Sequence, residues 1–342
     1  MRRSTLLLVV VLAACGEADR DVYTVVDDFL DRALPARCAR AWAGAGIAVS
    51  ELRSASDSTW LLLDEPRRRI AELDERMRTL WSLEYAAVGP GSAGKAVSAA
   101  LLGDTAVAIA DRGSLRLLVL SRGGELIRST PLGFLPNMLA ATPGGEVLVT
   151  PLRFGDEPPT LLVRFADGRR TELAVPPRYH PDVLVRTMGN IARVEVLPDG
   201  RALVLHEYMA PRGFAVDLAG GVTRLAVPTP DATLEQLRYI PTPPLTEADQ
   251  PRILVPALGL SVDRSRSEVY LMTRSGRTVA GVAQRAILRL DDRLGFLEGY
   301  TIDVAASRMA VLPRHRVAVV ADDEDHLYTC ALPAEEPHAR TG

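Results

Sequence analysis

LLLDEPRRRIAELDERMRTLW, residues 61–81, laid over AIADRGSLRLLVLSRGGELIR, residues 108–128, puts Asp64 on Asp111 and Arg69 on Arg116 at an offset of 47 residues. The apolar positions follow: Ile70 meets Leu117, Leu73 meets Leu120 and Leu80 meets Ile127. One unit therefore reads as an apolar strand, an Asp-led turn, a strand with an arginine and alternating apolar residues, a polar or glycine hairpin, and a further strand. A fixed period of this length marks a repeat architecture, in which each unit buries its apolar face against its neighbours. Residues 67–80 are also rich in the helix formers Arg, Glu and Leu, but the Gly-rich second copy aligned with them argues for strands.

Weaker echoes continue downstream. A first hairpin recurs at Pro143-Gly144-Gly145, Pro198-Asp199-Gly200, Asp263-Arg264-Ser265-Arg266 and Pro313-Arg314-His315, and a second at Arg122-Gly123-Gly124, Asp167-Gly168, Gly220-Gly221 and Asp291-Asp292-Arg293. Asp-Gly and Gly-Gly suit hairpins because glycine tolerates positive φ. Six units result, near 58–87, 98–130, 138–177, 190–228, 252–304 and 306–333. Short strands in six such modules predict an all-β, six-bladed β-propeller over residues 46–333, with a tail at 334–342. Closed propellers commonly complete their last sheet with a strand from the other terminus. GIAVSELRS, Gly46 to Ser54, is the expected closing strand, paired with the sheet containing His326 to Leu332. The run 227–256 carries seven prolines, too many for ladder positions, and reads as a loop over one face, shaping a pocket or covering blade edges.

The chain begins with a different kind of segment. Arg2 and Arg3 precede a short apolar core, Leu6 to Leu12, which ends in Leu12-Ala13-Ala14-Cys15. That anatomy is a secretory leader over residues 1–14, too short for the about 20 apolar residues that span a bilayer. Residues 15–45 read as a tether and an N-terminal segment, with some helical periodicity from Val22 to Leu34. The Asp-x4-Arg-apolar pattern, the Pro-Asp-Gly turn at 198–200, the Gly89-Pro90-Gly91 run and the Cys15 motif together resemble the bacterial six-bladed β-propeller lipoproteins, relatives of the NHL-repeat and TolB-like propellers. The resemblance implies cleavage before Cys15 and acylation of its thiol. Gly16 in place of the Asp that, in such proteins, retains the chain at the inner membrane implies the outer membrane, facing the periplasm.

Charge and cysteine usage set further bounds. The 342-residue chain carries a formal charge of −3, which becomes about −5 once Arg2 and Arg3 are lost, and no basic stripe suits a nucleic acid. Beyond Cys15 the only cysteines are Cys38 and Cys330. An oxidising compartment allows a bridge between them that would staple a ring, with two buried free thiols as the alternative.

The motifs that resemble reactive sites fall short. Gly89 to Ala96 nearly matches a nucleotide-binding loop, but Ala96 replaces the hydroxyl residue and Pro90 removes an amide donor, so no nucleotide is expected. Ser92-x-x-Lys95 matches the nucleophile pair of penicillin-recognising enzymes, yet Lys95 is the only lysine and their K-T-G element has no counterpart. None of the five histidines has ligand spacing to another, and Asp322-Asp323-Glu324-Asp325-His326 reads as a solvated hairpin. No cofactor or metal is expected. Polar residues embedded in apolar surroundings remain as candidate binding residues: Asn137, Asn190, Arg193, His206, Tyr208 and Arg212, each of which also suits a structural role. The expected function is a membrane-anchored binding or scaffold module for a protein, peptide or glycan. A propeller hydrolase or lyase of the metal-dependent lactonase kind is the alternative, and a small-ligand sensor a third.

Overall fold

The computed structural model describes residues 33–42, 47–86, 93–153, 160–177, 183–207, 213–225, 258–279 and 282–333. Cys15 and the leader, the part of the periodic segment 22–34 that precedes Ala33, Ser92, Tyr208, Arg212, the loop 227–256 and the tail 334–342 lie outside the described residues.

Two short strands come first, β1 (Leu34–Pro35) and β2 (Arg37–Trp42). The first sheet then runs β3 (Glu51–Ser54), β4 (Thr59–Asp64), β5 (Arg69–Asp74) and β6 (Thr79–Glu84), and the second β7 (Ala96–Leu102), β8 (Ala106–Asp111), β9 (Arg116–Ser121) and β10 (Leu126–Pro131). The third holds β11 (Leu135–Ala141), β12 (Val147–Leu152), β13 (Leu162–Ala166) and β14 (Arg169–Leu173). Helix α1 (Val183–Gly189) leads into the fourth, β15 (Ala192–Val196), β16 (Ala202–His206), β17 (Gly213–Val216) and β18 (Val222–Leu225). The fifth contains β19 (Gly259–Asp263), β20 (Glu268–Val279), β21 (Val282–Asp291) and β22 (Phe296–Ile302), and the sixth β23 (Ala306–Leu312), β24 (Val317–Asp322) and β25 (Leu327–Ala331). Within each sheet these strands are antiparallel neighbours in chain order.

This is a six-bladed β-propeller. The first strands of successive blades, β3, β7, β11, β15, β19 and β23, pack side by side around the axis, and β23 returns to β3. Between each pair of adjacent blades lies one apolar cluster, six in all among the described residues. The cluster between the last blade and the first joins Val49, Leu52, Trp60 and Leu62 to Ala310, Leu312, Val319 and Leu327, so the ring is sealed by core packing as well as by backbone. This sandwiching explains the sequence texture. A middle strand has a neighbouring blade on both faces and is apolar throughout, as in AVAIAD of β8, all buried. An outer strand meets solvent and carries polar residues, as in TLWSLE of β6 and LIRSTP of β10. Residues 67–80 are accordingly strand and turn, not helix.

The closure differs from the expected one. Strand Arg37–Trp42 is the outermost strand of the sixth blade, antiparallel to β25 in the register Cys38↔Cys330. The segment 47–54 instead supplies β3, the innermost strand of the first blade, paired with β4. Among the described residues sheet structure therefore starts at Leu34, within the stretch read as tether. β1 adds a parallel fifth strand to the outer edge of the fifth blade, Leu34 opposite Tyr300, and the Ala36 amide donates to Thr301 O at 2.9 Å. The N-terminal segment thus straps two adjacent blades, and a disulfide with S–S 2.09 Å joins Cys38 to Cys330 across 292 residues.

Candidate functional site

The innermost strands place their polar side chains on the propeller axis. Arg53 of β3 is 4% exposed and donates to Glu195 Oε1 at 2.7 Å, to Ala99 O at 3.3 Å and to Leu139 O. Glu51, two residues earlier and on the same side of the strand, accepts from Ser98 Oγ and from the Ala99 amide, both at 2.8 Å, with the Arg53 guanidinium 3.8 Å away. Ser98 in turn accepts from the Leu139 amide. On the opposite side of the axis the Ser54 and Ser261 hydroxyls lie 2.5 Å apart, and Ser54 donates to Val311 O. All six innermost strands are tied into one buried plug. Burial pushes the Glu51 carboxyl up, against the Arg53 charge and the hydrogen bonds from Ala99 and Ser98.

The plug separates two cavities. One, of about 240 Å³, opens at the C-terminal ends of the innermost strands, beside Arg53, Glu195, Arg122 and Arg264. Arg122 is occupied there, 3.1 Å from Glu72 and stacked 5.1 Å from the Trp81 ring centroid. The other, of about 610 Å³, opens at their N-terminal ends and is the wide mouth. Its volume lies in the range of small-molecule and peptide-end sites.

The wide mouth has a rigid wall on the second blade. Asp111, fully buried at the end of β8, accepts from the amides of Gly94 at 2.9 Å, Lys95 at 2.6 Å, Gly113 at 3.0 Å and Ser114 at 3.1 Å, and from the Ser114 hydroxyl. Burial works to raise its pKa, but these donors outweigh it and hold the carboxyl below its ordinary value. Gly113 is required at this turn, since a Cβ there would sit 2.7 Å from Lys95 N and 2.8 Å from Gly94 C. The Arg112 amide closes the corner on Lys95 O at 2.8 Å. Asp64, its counterpart in the first blade, organises its own turn through the Arg67 amide at 3.3 Å and the Arg67 side chain at 3.0 Å.

Ions around this mouth fall into two groups. Arg193 is paired with Glu207 at 2.9 Å, and Arg308 lies 3.8 Å from Asp325. Arg112 reaches no carboxylate among the described residues; its Nε and Nη2 both donate to Pro136 O, at 3.2 and 3.0 Å, and burial lowers its pKa. Lys95 stands exposed beside it, while Glu65 and Asp323 border the mouth from the first and sixth blades.

Of the residues singled out in the sequence, Asn137 and Arg193 both line the wide mouth. Asn137 donates its amide to Ala192 O at 3.0 Å, which ties the third blade to the fourth. Asn190 is buried after α1 and donates to Arg186 O at 2.7 Å, and His206 is buried in β16 with its ring 5.7 Å from that of Phe214; neither lines the mouth. The plug residues Glu51, Arg53, Ser98, Glu195 and Ser261 were missed; Ser98 and Ser261 stand among apolar residues in AVSAALL and GLSVD, the signal that selected Asn137, whereas Glu51 and Arg53 sit in the polar strand ELRS. At 322–326 the acidic run forms the β24–β25 turn: Asp322 accepts from the amides of Glu324 and His326, both at 2.9 Å, and Asp325 from the Val49 amide.

A divalent cation of the lactonase kind needs several open oxygen donors converging on one point. Among the described residues no three His, Cys, Asp or Glu side chains so converge. The two buried carboxylates at the mouth, Glu51 and Glu207, already face Arg53, Ser98 and Arg193. This donor set does not fit a resident metal.

Comparison with protein-family models and with curated proteins gives no match. Solved structures do share the architecture. A member of the DUF4221 family from Bacteroides vulgatus superposes with a TM-score of 0.57 at 8% identity, over 87% of this chain and 96% of that one. Virginiamycin B lyase from Staphylococcus aureus, in a catalytically inactive form with quinupristin, gives 0.51 at 12% identity over 85% and 83%. A gluconolactonase from Xanthomonas campestris gives 0.51 at 16% identity over 88% and 91%. The likeness is one of fold.

Proposed function

We propose that this chain is a lipid-anchored propeller of the cell envelope that works as a non-catalytic binding module, receiving its partner at the wide mouth. The observation that carries this reading is the Glu51–Arg53–Glu195 plug, which closes the axis and turns the wide end into a blind polar cup. A cup needs no reacting group to hold a ligand. What it needs is a fixed shape, which the Asp111 turn and the interblade bond from Asn137 supply. The anchor is supported by the leader and Cys15, and the outer membrane by Gly16, through the resemblance to bacterial lipoproteins.

Two measurements test this. A photo-crosslinking residue placed at Asn137 in the full chain is expected to capture a partner in intact cells, while the same group at Asp167, on the exposed β13–β14 turn, captures none. Cys15→Ala is expected to move the chain from the membrane to the soluble fraction. Equal capture from both positions, or purification with stoichiometric calcium or zinc together with lactone hydrolysis, overturns the binding-module reading. Membrane retention of the Cys15→Ala chain overturns the anchor.

A further inference from the structure

We propose that the wide mouth is a receptor for the C-terminal carboxylate of a peptide or protein, held by Arg112 and Lys95. This rests on the reading of the mouth as a binding cup and gives the cup a ligand chemistry.

The argument starts from an imbalance. Arginine side chains at this mouth are held by acids in the protein, Arg193 by Glu207 and Arg308 near Asp325, with Arg112 as the exception among the described residues. Its immediate neighbour Asp111 does not serve it, because four backbone amides and a hydroxyl occupy both carboxylate oxygens. A guanidinium has five N–H groups. Two of Arg112's are spent on the single oxygen of Pro136, which fixes the plane of the group without neutralising it. Three remain, on a residue that itself lines the cavity. Burial disfavours its charge, so an incoming anion relieves a cost already present in the free protein.

Lys95 adds a second cation on the same rigid support, since its backbone is gripped by Asp111 and by the Arg112 amide. A planar fork beside a point charge matches a carboxylate, which takes two parallel N–H bonds from arginine. The rest of the mouth decides what bears it. Glu65 and Asp323 border the mouth from the first and sixth blades and repel a polyanion such as nucleic acid or a phosphorylated glycan. Leu52, Met138 and Met309 line the floor and offer apolar contact to a neighbouring side chain, which suits a peptide end better than the hydroxyls of a uronate. Capture of a terminal carboxylate is an established mode of peptide recognition.

The test titrates the full chain with N-acetyl-alanyl-leucine as the free acid, with the same dipeptide as its amide, and with glucuronate, by calorimetry. The acid is expected to bind about tenfold or more tightly than the amide, and glucuronate more weakly than either. Lys95→Gln is expected to cut the preference for the acid several-fold. Arg112→Gln is expected to abolish it, with Arg112→Lys retaining part as a check on the fold. Equal binding of acid and amide, an acid preference that survives both Gln variants, tighter binding of glucuronate, or no binding of any acid overturns the proposal. The crosslink from Asn137 reads the cup independently: partner capture there without an acid preference refutes the carboxylate receptor and leaves the binding cup standing.

Discussion

Replacing Arg53 with methionine takes the central cation out of the plug while keeping an unbranched stem and most of its volume. The loss is calculable from its partners. Arg53 makes an ion pair with Glu195 at 2.7 Å, lies 3.8 Å from Glu51, and donates to the carbonyls of Ala99 and Leu139, all in a region that is almost wholly buried. Removing one member of a buried ionic group leaves the others desolvated and costs about 3–5 kcal/mol. At about 2–4 °C per kcal/mol for a large domain, the melting temperature is expected to fall by roughly 10 °C. The fall also depends on pH. Burial already raises the Glu51 pKa in the folded state, and Arg53 is the largest influence lowering it. Without Arg53 the folded pKa climbs further above the unfolded value. A group raised in this way contributes stability that is present below its unfolded pKa and lost as pH rises through the folded one. The variant should therefore lie nearer to wild type around pH 5 than around pH 8. Thermal melting followed by circular dichroism at both pH values measures this, and Glu51→Gln in the Arg53→Met background should restore part of the loss at the higher pH. A variant that melts within about 2 °C of wild type at both pH values refutes the claim that the plug holds the ring.

Two further outcomes follow. Breaking the Cys38–Cys330 bridge by Cys38→Ser releases a closure spanning 292 residues, worth about 5 kcal/mol by loop-closure entropy; alkylation of the denatured, unreduced wild-type chain should find neither Cys38 nor Cys330 as a free thiol, and finding both free refutes the bridge. Asp111 carries a lowered pKa, so its contribution is present above the unfolded carboxylate pKa and fades as pH falls through the folded one. Asp111→Asn should lower the melting temperature near neutral pH and flatten its acid-side decline, and an unchanged decline would show that this turn does not sense pH.

Much of the architecture was legible because turns carry the strongest local chemistry. Asp64 and Asp111, aligned at an offset of 47, prove to be the same device, each a carboxylate folded back onto the amides of its own turn. The glycines at 124, 145, 168, 200 and 220 sit at positive φ in hairpins where the sequence placed turns. The ends of the ring were less legible. GIAVSELRS was expected to close the last blade, whereas its Glu51 and Arg53 stand on the innermost strand of the first. Those charges face the axis, where the six blades supply partners from distant parts of the sequence; Glu195 lies 142 residues from Arg53. Pairing at such separation leaves no local trace. The same holds for the wide mouth. Asn137 and Arg193 stood out as polar residues among apolar ones, whereas Arg112 looked like any turn arginine, and only three dimensions show that no acid among the described residues reaches it.

The strap has a consequence for the order of events in biogenesis. Strand Arg37–Trp42 precedes the first blade in the chain, yet its pairing partner, Leu327–Ala331, follows the fifth, so the one is made long before the other. Until the final blade arrives, the early strand is an unpaired edge, open to the wrong neighbour. Contacts this remote slow folding, since loop entropy is lost before they form. The covalent link between Cys38 and Cys330 thus acts as a latch on a door that shuts late: once oxidised, it holds together the one seam that synthesis leaves open longest.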